Sequence, residues 1–184
     1  MPKLPAVRLR AYRHASRLGW GWALLASLAI AACQHNATSR PQIQEFLPAL
    51  QLPPVGSTSY RVGDLQGRVV VVNFFATWCF PCLGQLALLQ NMKKKYADRG
   101  FEVVAIGMDL EGWTVLDPFQ REYQLSFPIL LPSQAVREGK TAFGQISTLP
   151  ASFVFGRDGQ LLSVFGGLPT AEELDRLIAN AVKA

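Results

Sequence analysis

Residues 68–75, "RVVVVNFF", constrain this chain more than any other stretch. A β-branched and aromatic run of that length reads as a strand buried on both faces, which demands a layer above it and another below. A helical pattern begins a few residues later. Cys82, Leu86, Leu89, Lys93 and Tyr96 recur at helical spacing, and Leu83, Ala87 and Met92 widen the apolar face. Lysines near its end suit the negative end of the helix dipole, and Gly100 is a fair stop. Residues 101–108, "FEVVAIGM", form the next buried strand. Strand, helix and strand in that order imply a right-handed parallel crossover.

The remainder continues the alternation. Asp117-Pro118 can open a second helix running to about Gln124, as cap and first residue. "SFPILL" reads as a short strand. Residues 152–155 and 160–165 flank "GRDG" and make a hairpin. In the last segment Thr170 and Glu173 form a capping box, and Leu174, Leu177, Ile178 and Ala181 share one apolar stripe. No repeat or low-complexity tract interrupts this order.

The first 32 residues are of another kind. Lys3, Arg8, Arg10, Arg13 and Arg17 carry five positive charges with no acid, and an apolar run, residues 18–32, follows. About 15 residues is short of the roughly 20 that span a bilayer. A basic start, a short apolar core and small residues describe a secretory signal. The run ends in "IAAC", which resembles the lipobox of bacterial lipoproteins. By that resemblance the leader is cut before Cys33, whose sulfur carries diacylglycerol. Two or three acyl chains hold a protein on a membrane where one is marginal. Gln34, rather than an aspartate, follows the cysteine, which by analogy favours the outer membrane. Residues 33–45 then read as the lipidated cysteine and a polar tether, with one domain over 46–184. Of 18 basic and 13 acidic residues, five basic ones leave with the leader, so the mature chain is balanced. No basic patch points to nucleic acid, and Lys93-Lys94-Lys95 reads as a solvated helix end.

Cys79 and Cys82 stand where the first strand gives way to the helix. A structural zinc site wants four ligands, and the domain supplies two cysteines and no histidine, His35 lying in the tether. The same lack of histidine removes a Cys–His nucleophile pair. A structural staple gains little, because the entropic effect of a disulfide grows with the loop it closes. Electron exchange remains. At a helix N-terminus unpaired N–H groups and the dipole stabilise an anion, so Cys79 would be an accessible, activated thiolate. Cys82, one turn on, points into the helix–sheet seam and waits to resolve. Pro81 fits a first turn, where its missing donor costs little.

"VVVVNFFATWCFPC" resembles the active-site strand and motif of the thioredoxin superfamily. The wider pattern, "DLQGRVVVVNFFATWCFPC" with "FGQISTLPASFVFGRDGQLLSVFGG", is similar to the membrane-anchored TlpA/ResA-like thiol–disulfide oxidoreductases. The resemblance covers about residues 46–183. It implies an α/β, thioredoxin-like fold with a central mixed sheet flanked by helices on both faces, no cofactor, and a Cys79–Cys82 disulfide as the oxidised form. It makes Pro150 a cis-proline facing the disulfide, with the Leu149 backbone offered to an extended peptide. Trp78 and Phe80 would border the cysteine as an apolar contact surface, with core packing the rival reading for Trp78. It implies reduction of protein disulfides on the periplasmic side of the cell envelope, apocytochromes c among the family's clients, and a membrane thiol transporter as electron donor. The rivals are a dithiol oxidase or isomerase and a non-catalytic binder that kept the fold.

Two positions depart from the family pattern. Gln85 stands where members often carry an acid three residues after the second cysteine, and Asn73 where thioredoxins often carry a buried aspartate. No Asp or Glu occurs between Asp64 and Asp98. A buried carboxylate would relay a proton to the second cysteine; without one, transfer falls to water or a distant group. The lysine run does not substitute, lying roughly 16 Å down the helix, beyond the Debye length of about 8 Å. A peroxiredoxin would have a threonine where Ala76 stands, three before Cys79.

Overall fold

A computed structural model describes residues 40–56 and 59–184. The signal segment, Cys33, Gln34 and His35 lie outside the described residues.

The four valines of the first strand decide the architecture. Strand β1, Val69–Phe75, is buried along its whole length, so it takes the centre of a five-stranded sheet of order β3-β2-β1-β4-β5. Strand β2, Phe101–Gly107, and β3, Ile129–Leu130, run parallel to it on one side. Strands β4, Ala151–Phe155, and β5, Leu161–Gly166, form the antiparallel hairpin on the other. The sheet is therefore mixed, as the resemblance implies.

Alternation along β1 sends Val69, Val71, Asn73 and Phe75 to one face and Val70, Val72 and Phe74 to the other. The first face is covered by three helices. They are Phe80–Tyr96, Trp113–Glu122 and Ala171–Ala181, whose Leu86, Leu89, Leu116, Leu174 and Ile178 join one core cluster. Two short helices cover the second face, α1, Ile43–Phe46, and α4, Gln134–Arg137, with a 3-10 turn over Leu47–Leu50. The three long helices are α2, α3 and α5 in chain order. Thr170 caps α5 by accepting the Glu173 amide, at 3.2 Å.

The structure corrects three expectations. The tether does not run to residue 45: Ile43 is buried, its amide donates to Gly159 O, and Leu161 N donates to Pro41 O, so the domain begins at about residue 40. Helix α3 begins at Trp113 rather than Asp117, with Pro118 inside it. Burial of Leu116 outweighs the lost donor of Pro118; the side chain lies so close to Gly107 that a Cβ there would stand 2.5 Å from Leu116 Cδ2. The lysine run is not uniformly solvated either. Lys93 pairs with Glu102, which Arg68 also meets at 2.7 Å, and Lys95 pairs with Asp175 at 2.7 Å.

Candidate functional site

Cys79 is the N-cap of α2, with extended backbone (φ −85°, ψ 99°), and Cys82 is in the first turn. The turn is closed by main-chain bonds from Cys79 N to Ala76 O, 3.1 Å, and from Cys82 N to Cys79 O, 2.9 Å. The two cysteines form a disulfide, with Cα atoms 5.2 Å apart. Phe80 and Pro81 fill the first two helical positions, and the first turn carries no acid. The positive end of the helix dipole therefore lies at the leading cysteine, with no side-chain carboxylate in that turn to oppose it.

Exposure differs from expectation at one cysteine. Cys82 is fully buried, as its place in the seam requires, but Cys79 is only 6% exposed rather than open. The bonded pair lies within the core cluster formed by α2 and the sheet. Its neighbours are the exposed residues: Trp78 is 74% and Phe80 84% accessible. Core packing for Trp78 is thereby excluded. Leu110, Trp113 and Leu168 are further exposed apolar residues, and a Cβ on Gly84 in α2 would lie 3.7 Å from Leu168. Residues 69–92, 141–156 and 159–171 contain no charged side chain, so the strand, helix start and hairpin segments around the disulfide carry no charge of their own.

The Leu149–Pro150 bond is cis. Register places it: Phe74 on β1 pairs with Ala151 on β4, so Pro150 falls at the end of the sheet from which Cys79 emerges. Pro150 O accepts from Gly167 N at 2.7 Å. Leu149 is half-buried between the two cores.

Asn73 and Gln85 are both fully buried, and they share a partner that sequence reasoning missed. Asn73 Nδ2 donates to Ser152 Oγ at 2.9 Å and Gln85 Nε2 donates to the same oxygen at 3.3 Å. Asn73 Nδ2 also lies 3.4 Å from Ala151 O. Asn73 Oδ1 and Gln85 Oε1 are buried with no partner among the described residues. A neutral amide–hydroxyl–amide network thus stands between α2 and the sheet, one turn past Cys82, where the family pattern places carboxylates. The signal for Ser152 is the antiparallel register, in which Asn73 pairs with it.

A second missed group is Asp109, 1% exposed, which accepts from both the amide and the hydroxyl of Thr77. Sequence separation hides it: β1 and β2 pair at an offset of 32 residues, Phe75 against Gly107, and the same offset carries Thr77 to Asp109.

The AhpC/TSA family model matches residues 43–164. The chain is 31% identical to the thiol-disulfide oxidoreductase ResA of Oceanobacillus iheyensis over 66% of its own length and 61% of that protein's. It is 30% identical to ResA of Bacillus thuringiensis subsp. konkukian, over 74% of this chain and 77% of that one. A thiol:disulfide interchange protein of the thioredoxin family from Chlorobium tepidum superposes with a TM-score of 0.59 at 26% identity, covering 72% of this chain and 97% of that one. With a cysteine pair at the mouth of a helix on a thioredoxin-like sheet, the chain belongs to the AhpC/TSA family and is a ResA-like thiol–disulfide oxidoreductase of the thioredoxin superfamily.

Proposed function

We propose that the chain reduces protein disulfides outside the cytoplasm. The Cys79 thiolate attacks one sulfur of a client disulfide, forms a mixed disulfide and expels a client thiolate. Cys82 then gives its proton to water, attacks Cys79 Sγ as the thiolate, closes the Cys79–Cys82 disulfide and releases the second client thiolate. Two electrons pass to the client, and both client thiolates take protons from solvent. A Cys79–Cys82 disulfide, the form that cycle would leave, supports the reading. The observation that carries the reading is the position of Cys79 as the cap of α2, at the positive end of the helix dipole, with Cys82 within bonding reach behind it.

Trp78 and Phe80 serve as the contact surface for the client, and the Leu149 backbone beside Pro150 as the edge on which an extended peptide lies. Apocytochromes c, among the family's clients, are the client class this reading favours. Re-reduction requires a dithiol donor, and a membrane thiol transporter supplies it. Residues 1–32 act as a lipoprotein signal, Cys33 as the lipidated anchor, and residues 34–39 as the span to the domain, on the periplasmic side of the outer or inner membrane.

Trapping tests the chemistry. Cys82→Ala in cells leaves Cys79 without its resolving partner, so mixed disulfides with clients accumulate; Cys79→Ser abolishes them. Absence of any adduct in the Cys82→Ala strain would make the protein a binder that kept the fold. Equilibration of the wild-type pair with glutathione at known ratios then reads the direction: a potential below that of the compartment means reductase, one above it oxidase.

A further inference from the structure

Asp109 is a buried carboxylate at the redox loop, and the exchange between Cys79 and Cys82 gives it no task. Its Oδ1 and Oδ2 each lie 3.1 Å from the Thr77 amide, and Oδ1 lies 2.6 Å from Thr77 Oγ1. Both oxygens accept. The main chain around it is gripped from two sides. Met108 N donates to Phe75 O at 2.7 Å, and Arg137, at the end of α4, donates to Met108 O at 2.9 Å and to Asp109 O at 2.8 Å. Thr77 is two residues before Cys79. A chain of contacts thus runs from α4 through the end of β2 to the loop that presents the leading cysteine.

Burying an ion costs free energy even when it is hydrogen-bonded. A neutral acceptor would hold the Thr77 amide and hydroxyl without that cost, so the geometry leaves the charge itself unexplained as an anchor. Few charges of either sign face it. Arg137 bonds the main-chain carbonyls rather than the carboxylate, Glu111 is exposed, and the first turn of α2 carries no acid. A helix mouth stabilises the thiolate, hence the reduced form, and so makes a pair more oxidising. A fixed negative charge in the adjoining loop acts in the opposite sense.

We infer that Asp109 is a positioning residue for the dithiol: it fixes the Thr77–Cys79 loop, and its charge offsets the helix mouth so that the pair is a stronger reductant. This rests on the exchange reading above.

The experiment compares wild-type and Asp109→Asn protein in two readouts, the glutathione equilibrium of the pair and the pH profile of Cys79 alkylation by iodoacetamide. Asparagine keeps the shape and one acceptor but not the charge. The inference expects the variant to stay reduced at about three- to tenfold higher oxidising ratio, tenfold being about 30 mV for this two-electron couple. It expects the alkylation midpoint to move to lower pH. Unchanged values in both readouts, from a variant with wild-type circular dichroism, would overturn it and leave the exchange reading standing. A wild-type pair inert to glutathione would overturn both. Should the variant not fold, the reduced wild-type protein decides. The Asp109 carboxyl carbon resonance must then inflect at the pH where Cys79 loses its proton, and a resonance blind to that step refutes the coupling.

Discussion

The two faces of the central sheet are built from different chemistry. The face under α1 and α4 is aromatic: Phe46, Phe74, Phe143, Phe153 and Phe155 form a contiguous cluster, with ring centroids 4.9 Å apart for Phe46–Phe143, 5.0 Å for Phe46–Phe155 and 5.0 Å for Phe143–Phe153. The face under α2, α3 and α5 holds the disulfide and the Asn73–Ser152–Gln85 network, with two buried carbonyl oxygens that have no partner among the described residues. Aromatic pairs contribute beyond their buried area, whereas an unpaired buried polar atom costs about 1–3 kcal/mol. The comparison teaches a division of labour: both faces bury a core, but only the redox face also carries a buried polar network, at the place where electrons and protons move.

The largest effect should come from the aromatic face. Phe155→Ala removes a fully buried ring from that cluster and is expected to cost about 3–5 kcal/mol, lowering the thermal midpoint by on the order of 10 °C. The glutathione equilibrium of the pair should stay at its wild-type value. A potential that moves along with the melting temperature would break the division, since the two faces would then be coupled through β1.

On the other face Ser152→Ala is nearly isosteric, so no cavity term enters. It leaves the Gln85 amide without its acceptor and Asn73 with only the 3.4 Å contact to Ala151 O. The expected loss is about 1–3 kcal/mol by chemical denaturation. A loss below the error of that measurement would mean that water already serves both amides.

Gln85→Glu sharpens the comparison further by placing a titratable group in the network. Burial disfavours the charged form of a carboxyl, so the new group holds a proton into the neutral range one turn from Cys82. Once it ionises, its charge disfavours the nearby thiolate, so the midpoint of thiol alkylation should rise by about one pH unit, equivalent to about 1.4 kcal/mol. An unchanged profile would show that the network is structural and does not communicate with the cysteines.

The asymmetry was half legible in the sequence. Four consecutive valines fix a central strand, and that run leading into a Cys-x-x-Cys at a helix start fixes the site's place. The hairpin and α5 announce themselves through turn and capping residues. What was not legible depends on register and burial. Asp109 and Ser152 reach the site only through strand pairing with β1, and nothing local to either residue marks it. The start of α3 follows from the fit of Leu116 against Gly107, which overrides the helix-start signal of Asp117-Pro118. Ile43 and Phe46 are too few to form a periodic pattern, yet they close the aromatic face. Cys79 reads as open because a helix cap is open in isolation; its burial comes from the core cluster around it.

The smallest effect lies at the far end of α2, where the helix of the redox face is tied to α5. Lys95 meets Asp175 at 2.7 Å, and Tyr96 donates to the same carboxylate at 2.8 Å. The bond from Lys95, then that from Tyr96, holds the Asp175 carboxyl below the usual carboxylate range. A carboxyl whose proton affinity falls on folding adds stability above its unfolded value, near 3.9, and that contribution is lost as pH falls through the lower folded value. Wild-type protein should therefore lose more of its thermal midpoint between pH 5 and 3 than Asp175→Asn does. At neutral pH the variant should melt only on the order of 1–3 °C lower, as a solvent-screened surface pair does. The Cys79 alkylation profile should not move, because the pair sits four turns down the helix from the sulfur. If Asp175→Asn did shift that profile, α2 would be transmitting strain along its length, and the chemistry of this face could not be assigned to its cysteine end alone.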